Sequence, residues 1–270
     1  MTINDVLDFI DENLESELNI DIIVKFSGYG RRYLQLLFSK YMNMPLGKYI
    51  RLRRVTRAAL LLRLTQAPMI DIAIRLRFDS QQSFTRAFRK LVGCSPMQYR
   101  KEPDWDLSPL DGGRKAGSNT PHPPDISQLE SGVIYGFQII YDEHIPFTRY
   151  SDYRWRHMKQ QFTLQNHILY CLTEVAGNKR SDVMTIKTVI GSSEKGKYKS
   201  QTKFPYKGGA HAHFFFAGNK DDYVFFTNKT YLSTLPFYKI IRRNGPDIEI
   251  VKSINDDFFE IDFYIPIRTI

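Results

Sequence analysis

The sequence predicts a multidomain protein with an all-α N-terminal domain and an α+β second domain built on an antiparallel sheet. Three observations predict this division: apolar residues recur at helical spacing through the first hundred residues, a stretch rich in Gly, Pro and Ser follows, and apolar runs of strand length dominate the remainder. A chain of 270 residues is long enough for two cores. We therefore divide it into an N-terminal domain over residues 1–103, a linker over 104–126 and a second domain over 127–270.

The N-terminal domain opens with a predicted amphipathic helix, in which apolar residues lie on one face and acidic residues on the other. The apolar residues at helical spacing are Ile3, Val6, Leu7, Ile10 and Leu14. A short helix is predicted over 20–26 and ends at Gly28, since glycine suits the left-handed turn after a helix. Two more helices are predicted over 31–41 and 46–64, the second of them opened by Pro45.

The same apolar pattern recurs fifty residues further along the chain. The matched positions are Leu34 with Phe84, Phe38 with Phe88, Pro45 with Pro96, and Tyr49 with Tyr99. Two copies at so long a period do not indicate a solenoid, and we interpret them as a duplicated helix-turn-helix. The helix over 46–64 would be roughly 28 Å long. That length is close to the roughly 34 Å between successive major-groove faces on one side of a DNA duplex.

The second domain mixes runs of strand length with helical stretches. Strands are predicted over 133–141, 183–190, 210–217, 223–227 and 258–267. Helices are predicted over 147–169 and 229–241. This mixed order is typical of an α+β domain.

Positive charge is concentrated in the N-terminal domain. Residues 1–100 contain sixteen Lys and Arg and nine Asp and Glu. Seven of those acids lie within the first 21 residues, so residues 22–100 carry all sixteen basic residues and two acids, Asp71 and Asp79. Such a stretch suits a polyanion, because phosphate contacts release counterions. Charge alone leaves a solvated basic surface equally open.

Several classes of protein are not favoured by the sequence. Cys94 and Cys171 are too few and too far apart for a disulfide framework or a zinc site. No apolar run reaches the length of about 18 residues that a membrane span needs, and the first residues are acidic and amphipathic, unlike a secretory signal. We therefore expect a cytoplasmic protein that is not exported, not embedded in a membrane, and free of metal and cofactor.

The second copy of the repeat offers a polar face with the chemistry of base recognition. Gln81, Gln82, Thr85 and Arg86 share one face of the predicted helix, while the two Phe residues of the repeat point into the core. Gln pairs bidentately with adenine and Arg with guanine in the major groove. The alternative is that this face is only solvated.

The first copy presents a different outward face. Its members are Arg31, Arg32, Gln35, Leu36 and Ser39. An apolar residue such as Leu36 on a base-reading face suits the methyl group of thymine. The remaining basic residues are better placed for phosphate contacts, which position a protein without reading sequence. The predicted phosphate-contacting residues are Arg31, Arg51, Arg53, Arg54, Arg57, Arg89 and Arg100.

The N-terminal domain resembles the AraC/XylS family of activators, specifically its MarA, SoxS and Rob group. The segments that carry the resemblance are Gly28–Tyr29, Tyr33–Gln35, Gly47–Arg51, Phe78–Arg86, Pro96 and Tyr99–Arg100. Three later segments, Glu102–Trp105, Arg242–Glu249 and Tyr264–Arg268, are similar to the members of the group that carry a GyrI-like second domain. The resemblance implies a DNA-binding activator that binds an asymmetric promoter site as a monomer and recruits RNA polymerase.

The resemblance also implies which residues contact bases. By position they are Arg32, Gln35, Leu36, Gln81, Gln82, Thr85 and Arg86. Two of them depart from the family pattern, since relatives usually have Trp at the position of Arg32 and Arg at the position of Leu36. The preference of the first recognition helix is therefore expected to differ from that of relatives.

A GyrI-like domain implies a small-molecule effector site with an aromatic pocket and one acidic group, which suits cationic or amphipathic ligands. The predicted ligand-binding residues are Tyr135, Tyr153, Trp155, Phe214, Phe216, Asp262 and Tyr264, with Asp262 as the acid. Alternation places Phe214 and Phe216 on one strand face. The alternatives are a second domain whose aromatic residues only fill a core, and a GyrI-like hydrolase fused to a DNA-binding module.

Enzyme activity is not expected from the residues themselves. No order of Ser, His and Asp typical of a nucleophilic triad is evident, and one acid such as Asp262 does not establish catalysis. His211 and His213 would share one strand face, but no third metal ligand accompanies them. We predict a regulator and not an enzyme.

Overall fold

The computed structural model describes residues 1–106, 121–144, 152–162, 168–178, 183–195 and 202–268. The first of these ranges is helical. Its helices are α1 Ile3–Glu12, α2 Ile20–Ser27, α3 Arg31–Met42, α4 Leu46–Leu64, α5 Met69–Arg75, α6 Gln81–Val92 and α7 Pro96–Lys101. No helix in the described ranges is long and apolar enough to cross a membrane.

Local sequence accounts for where these helices begin and end. Side-chain oxygens of Thr2, Asn19, Ser80 and Ser95 accept hydrogen bonds from backbone N–H groups in the first turns of α1, α2, α6 and α7. Helix α2 ends at Gly28, where φ is 70°, a left-handed conformation that glycine adopts without a Cβ clash. The turn predicted at this glycine is therefore present.

The two helix-turn-helix units form separate cores, one at each end of α4. The first core joins α1, α2 and α3 to the N-terminal half of α4, and the second joins α5, α6 and α7 to its C-terminal half. The rings of Phe38 and Tyr49 meet edge-on at 5.3 Å, and those of Phe88 and Tyr99 at 5.4 Å. The duplication predicted from sequence is thus repeated in packing.

The second domain is built on an antiparallel sheet of eight strands in the order β2-β7-β10-β9-β4-β5-β3-β6. The strands of this sheet are β2 Asp125–Leu129, β3 Gly132–His144, β4 Ile168–Gly177, β5 Val183–Ser192, β6 Thr202–Tyr206, β7 Gly209–Gly218, β9 Asp247–Ser253 and β10 Phe259–Pro266. Two short strands, β1 Trp105–Asp106 and β8 Ile241–Arg242, form a separate antiparallel pair. The helical segments are α8 Tyr153–Phe162, α9 Lys220–Lys229, a π-helical turn Thr230–Thr234 and α10 Leu235–Phe237. The fold class predicted from sequence is confirmed.

The two faces of the sheet have different cores. Side chains of α8 and α9 pack with one face in the larger core, and a smaller apolar cluster covers the other. Along β10 the residues alternate, so Ile261 and Phe263 are buried in the larger core. Asp262 and Tyr264 consequently lie on the opposite face.

Some predicted elements of the second domain are wrong. The segment 223–227, predicted as a strand, belongs to α9, because Asn219 caps a helix whose first turn is acidic. Of the predicted helix over 147–169, residues 153–162 are helical and 168 onward is strand, while 145–151 and 163–167 lie outside the described residues. The predicted helix over 229–241 is shorter than expected and ends before β8.

Four strands of the sheet, β2, β4, β6 and β9, have no counterpart in the sequence prediction. In β9 the reason is clear, because Asp247 and Glu249 are buried there with apolar neighbours. Buried carboxylates break the alternation that a strand prediction depends on. Most of the predicted linker, residues 107–120, lies outside the described residues.

Candidate functional site

Helix α6 presents the polar face predicted for it. The Ser80 hydroxyl accepts a hydrogen bond from the Ser83 backbone N–H at 3.1 Å, which fixes the first turn. Phe84 and Phe88 are fully buried beneath the helix, and burial of two aromatic rings sets its rotation about its own axis. Gln81, Gln82 and Arg86 are exposed and Thr85 is half-buried. These four side chains therefore form one accessible polar surface.

Helix α3 is oriented by equivalent contacts but exposes a more apolar surface. Leu34 and Phe38 are fully buried. Arg32 and Gln35 are exposed, and Leu36 is 63% exposed. Tyr33, which was not among the predicted contact residues, is 57% exposed beside them. An aromatic residue outside the i, i+3, i+4 stripe of the helix is the sequence signal that identifies it as outward-facing.

Residues of α3 and α6 border two grooves that share the same stretch of α4. Gln35 and Ser39 line one groove together with Gly47 and Ile50 of α4. Arg86 lines the neighbouring groove, whose wall also includes Gly47 and Ile50. The two recognition helices therefore flank the N-terminal half of α4, as two units reading one side of a duplex require.

Four of the predicted phosphate-contacting arginines border these grooves or the ends of the recognition helices. Arg51 and Arg89 are exposed. Arg31 is exposed and lies 3.5 Å from the carboxylate of Asp21, a solvent-screened pair of small energy. Arg54 donates to the backbone carbonyls of Leu14 and Ser16, between α1 and α2, and also lines the Arg86 groove.

The structure places the other three arginines differently from the sequence-based assignment. Arg53 donates two hydrogen bonds, of 2.7 and 3.0 Å, to the carboxylate of Asp11. The Arg57 side chain is only 12% exposed and lies 3.7 Å from Glu15, and burial lowers its pKa. Arg100 donates to the Leu62 carbonyl in the last turn of α4, at 3.1 Å, and to the Ala67 carbonyl just before α5, at 2.7 Å. These guanidinium groups hold helices together.

The acidic residues at the start of the chain explain why Arg53 and Arg57 form ion pairs inside the domain. Glu15 lies 2.8 Å from Arg75 of α5 while it also faces Arg57 of α4. Asp11, in the last turn of α1, and Glu15, just after that helix, are four residues apart, as are Arg53 and Arg57 of α4, so an acidic segment meets a basic helix face. That matched spacing is the sequence signal that separates structural arginines from exposed ones. The basic surface available to a polyanion is consequently smaller than the net charge indicates.

A second candidate site is a cavity of about 350 Å³ between the sheet, α8, α9 and α4. Six of its lining residues are aromatic. The aromatic lining residues are Trp105, Tyr141, Trp155, Tyr223, Tyr231 and Phe263. A concave, mainly apolar space with a few polar groups is the usual form of a small-molecule site.

Two of the four acidic residues that line the cavity, Asp247 and Glu249, come from β9. Glu249 is buried, accepts a hydrogen bond from the Tyr223 hydroxyl at 2.7 Å, and forms an ion pair with Arg154. Asp247 pairs with Arg242 at 2.9 Å. Burial raises the pKa of Tyr231 well above its ordinary value, so this phenol remains a hydrogen-bond donor.

Of the seven predicted ligand-binding residues, Trp155 lines this cavity. Phe214 and Phe216 are buried in the larger core, and Tyr135 and Tyr153 lie outside the cavity wall. Asp262 and Tyr264 lie on the opposite face of the sheet, where Asp262 meets His213 Nε2 at 2.8 Å. Asp262 therefore does not face the cavity, because strand alternation turns even-numbered residues of β10 away from it. Glu249 of β9 lies in the cavity wall instead.

The histidine pair has other partners. His211 is buried, its Nδ1 lies 2.8 Å from the Gly209 carbonyl oxygen, and burial lowers its pKa. His213 stacks on Tyr264 at 4.5 Å. Within the described ranges, no group of three or more His, Cys, Asp or Glu side chains is arranged to hold a metal ion.

Comparison with known proteins covers both domains. The sequence model of a helix-turn-helix domain family matches residues 23–102. The chain is 36% identical over 269 residues to the F1 operon positive regulatory protein of Yersinia pestis, covering 99% of this chain and 88% of that protein. It is 30% identical over 259 residues to the right origin-binding protein of Escherichia coli K12, covering 92% and 89%. It is 46% identical over 98 residues to the HTH-type transcriptional activator AarP of Providencia stuartii, covering 36% and 73%.

Proposed function

Because the chain belongs to the AraC/XylS family of transcriptional regulators, we propose that it is a sequence-specific DNA-binding activator whose helices α3 and α6 enter successive turns of the major groove. The observation that carries this proposal is the stretch of α4 that borders the grooves of both Gln35 and Arg86. The protein binds its promoter site as a monomer, since one chain supplies both recognition helices, and it recruits RNA polymerase.

The proposal assigns base contacts to the exposed residues of both helices. These are Arg32, Gln35 and Leu36 in α3, and Gln81, Gln82, Thr85 and Arg86 in α6. Phosphate contacts are assigned to Arg31, Arg51, Arg54 and Arg89. Arg53, Arg57 and Arg100 are assigned to the fold, because their guanidinium groups bind carboxylates or carbonyls inside the domain and none of them lines the Arg86 groove. Arg54 also donates to carbonyls, but it does line that groove.

Two arginines of α6, almost one helical turn apart, provide a matched test. Arg86→Ala and Arg89→Ala remove the same charge from the same helix. We expect Arg86→Ala to cost about 1–3 kcal/mol in binding a duplex selected from random sequences, and much less on scrambled DNA. We expect Arg89→Ala to weaken both alike and to reduce the salt slope by about 1. Fluorescence anisotropy titrations at several salt concentrations measure both quantities, and equal behaviour of the two variants would count against the assignment.

For the second domain we propose binding of a small amphipathic cation in the aromatic cavity. Four carboxylates line the cavity, those of Glu143, Glu174, Asp247 and Glu249. Two guanidinium groups, of Arg154 and Arg242, accompany them. The charge of the lining is therefore negative, and aromatic faces add attraction for a cation. No catalytic role is assigned to these residues.

Both tryptophans of the chain, Trp105 and Trp155, line the cavity, so intrinsic fluorescence reports on its contents. We expect saturable quenching by berberine, a planar aromatic cation, and none by decanoate, an apolar anion. Saturation by decanoate but not berberine would contradict the proposed charge preference. Saturation by neither would favour a second domain that is only structural.

Charge at the cavity wall supplies a variant pair for the same measurement. Glu174→Gln removes an exposed carboxylate of the lining, whereas Glu194→Gln removes one that is exposed elsewhere in the same domain. A partly screened charge contributes about 0.2–1 kcal/mol. Berberine affinity is expected to fall by that amount for Glu174→Gln only.

A further inference from the structure

The cavity has a wall that does not belong to the second domain. Leu60 and Leu64 of α4 line it, and both are buried against Met184 and Ile186 of β5. Helix α4 is the connection between the two helix-turn-helix units. A ligand in the cavity would therefore touch the DNA-binding domain directly.

Further contacts fix the C-terminal end of α4 to the second domain. The Gln66 backbone N–H donates to the Asn178 carbonyl at 2.8 Å, and the Gln66 side chain donates to the Gly177 carbonyl at 3.3 Å. Thr65 and Asn178 form a parallel bridge. The residues that follow α4 are thus hydrogen-bonded to the C-terminal end of β4.

A tryptophan joins the domains at the same place. Two guanidinium groups, that of Arg63 from α4 and that of Arg242 from β8, each lie 5.3 Å from the centroid of the Trp105 ring. Arg63 also donates to the carbonyls of Tyr99 and Asp104, at 2.9 and 2.7 Å. Trp105 also lines the cavity. One side chain therefore belongs both to the cavity wall and to the interface between the domains.

Other residues of α4 belong to the two helix-turn-helix units. Leu61 and Leu62 are in the core beneath α6. Gly47 and Ile50 border the grooves of both recognition helices. Because a helix held by backbone hydrogen bonds moves as a unit, a displacement at Leu60 and Leu64 is transmitted along α4 to the residues that border both recognition helices.

We propose that the ligand site is composite, with Leu60 and Leu64 as positioning residues, and that ligand and DNA therefore bind with positive coupling. This rests on the proposed ligand binding. Contacts to α4 exist when the domains are docked as described, so a ligand that makes them favours that arrangement. In that arrangement both recognition helices border the same stretch of α4. Coupling between sites is reciprocal, and a factor of about 5–150 in affinity is typical.

The test is DNA affinity of the full chain with and without saturating berberine. We compare wild type with Leu64→Ala and Leu232→Ala. Both residues line the cavity, and both variants remove the same atoms, but Leu232 comes from the second domain. Both variants are expected to bind berberine more weakly. At saturating berberine, wild type and Leu232→Ala are expected to bind the selected duplex at least about fivefold more tightly, and Leu64→Ala is expected to lose that gain.

Other outcomes overturn the proposal. It fails if berberine binds and leaves DNA affinity unchanged, if it weakens DNA binding, or if Leu64→Ala retains the gain. Leu64→Met, which conserves volume, separates loss of coupling from loss of folding, since it should keep both the fold and the gain.

Hydrogen exchange decides the proposal even if berberine does not bind. DNA alone is expected to slow amide exchange in β5 and at Trp105 of wild type, because α4 contacts both. The slowing should disappear in Leu64→Ala. Unchanged exchange in wild type would overturn the composite site, whereas absence of berberine binding with slowed exchange would overturn only the ligand class.

Discussion

The two helix-turn-helix units have nearly the same internal packing and different recognition helices. The edge-on aromatic pair of the first unit, Phe38 with Tyr49, has a ring distance of 5.3 Å and an interplanar angle of 66°. The pair of the second, Phe88 with Tyr99, has 5.4 Å and 67°. Packing in a close-fitted core leaves little freedom for change, so the duplicated units kept their interiors.

The surfaces and the starts of the helices are less constrained and have diverged. Helix α6 is capped by Ser80, whose side chain forms a capping box, and its exposed face is polar. The cap position of helix α3 is Gly30, which supplies no side-chain cap, and the helix exposes Tyr33 and Leu36. The difference teaches that units with the same interior can expose different surfaces: the second unit exposes a polar helix face, whereas that of the first is both polar and apolar.

The largest expected effect tests whether the two interiors are equivalent. Phe38→Ala and Phe88→Ala each remove a fully buried ring from a matched position. Each is expected to lower the free energy of unfolding by about 3–5 kcal/mol, because apolar burial is reduced and a residual cavity is left. Urea denaturation measures both. A cost below about 1 kcal/mol for either one would show that the units are not packed alike.

The next effect concerns the cap that distinguishes α6. Ser80→Ala removes the acceptor of the Ser83 N–H and is expected to lower the free energy of unfolding by about 1 kcal/mol. Thermal or urea unfolding gives the value. Ser95→Ala, which removes the corresponding acceptor at the start of α7, serves as the comparison. No change in either variant would mean that capping does not set the boundaries of these helices.

A smaller effect separates the reading chemistry of the two helices. If Leu36 packs on a thymine methyl group, Leu36→Ala lowers affinity by about 0.8 kcal/mol for each methylene group that no longer packs against it. Replacing thymines of the selected duplex one at a time by uracil removes that methyl group from the DNA instead. At the contacted position, the uracil duplex should weaken binding of wild type and not of Leu36→Ala. Equal reductions for both proteins at every position would rule out the contact.

The smallest expected effect comes from giving α3 the kind of side-chain cap that α6 has. Gly30→Ser introduces a capping side chain where the backbone has φ −63° and ψ 143°, values open to serine, and where an added Cβ meets no atom within 4 Å. We expect stability to rise by a few tenths of a kcal/mol. A shift in the urea midpoint at constant slope would report it. A loss of stability would indicate that Gly30 is required for another reason.

Much of the N-terminal domain was predictable because its signals are local. Helix stripes, Gly28 and the fifty-residue repeat lie in the order of residues, and the family that they indicate is confirmed. Arg53 and Arg57 were less predictable as structural residues. Their partners, Asp11 and Glu15, are 42 residues away in each case, and only folding brings them together.

The second domain was harder to predict for two physical reasons. Strand alternation gives two faces but does not say which face meets the helices. Asp262 was therefore assigned to the cavity, although it lies on the opposite face of the sheet. Buried Asp247 and Glu249 concealed β9, because their partners Arg242 and Arg154 are supplied by other elements. Asn219 and the acidic turn after it were the local signal for α9 that the aromatic residues obscured.

The sequence by itself determined the duplicated helical domain, its recognition helices and the class of the second domain, because periodicity, caps and repeats depend on neighbours along the chain. Tertiary structure alone decided which arginines remain exposed, which carboxylate faces the cavity, and that Leu60 and Leu64 of α4 close its wall. Those features depend on pairs of groups distant in sequence. The arginine and carboxylate contacts form only when each domain folds, and the α4 wall of the cavity forms only when the two domains pack together.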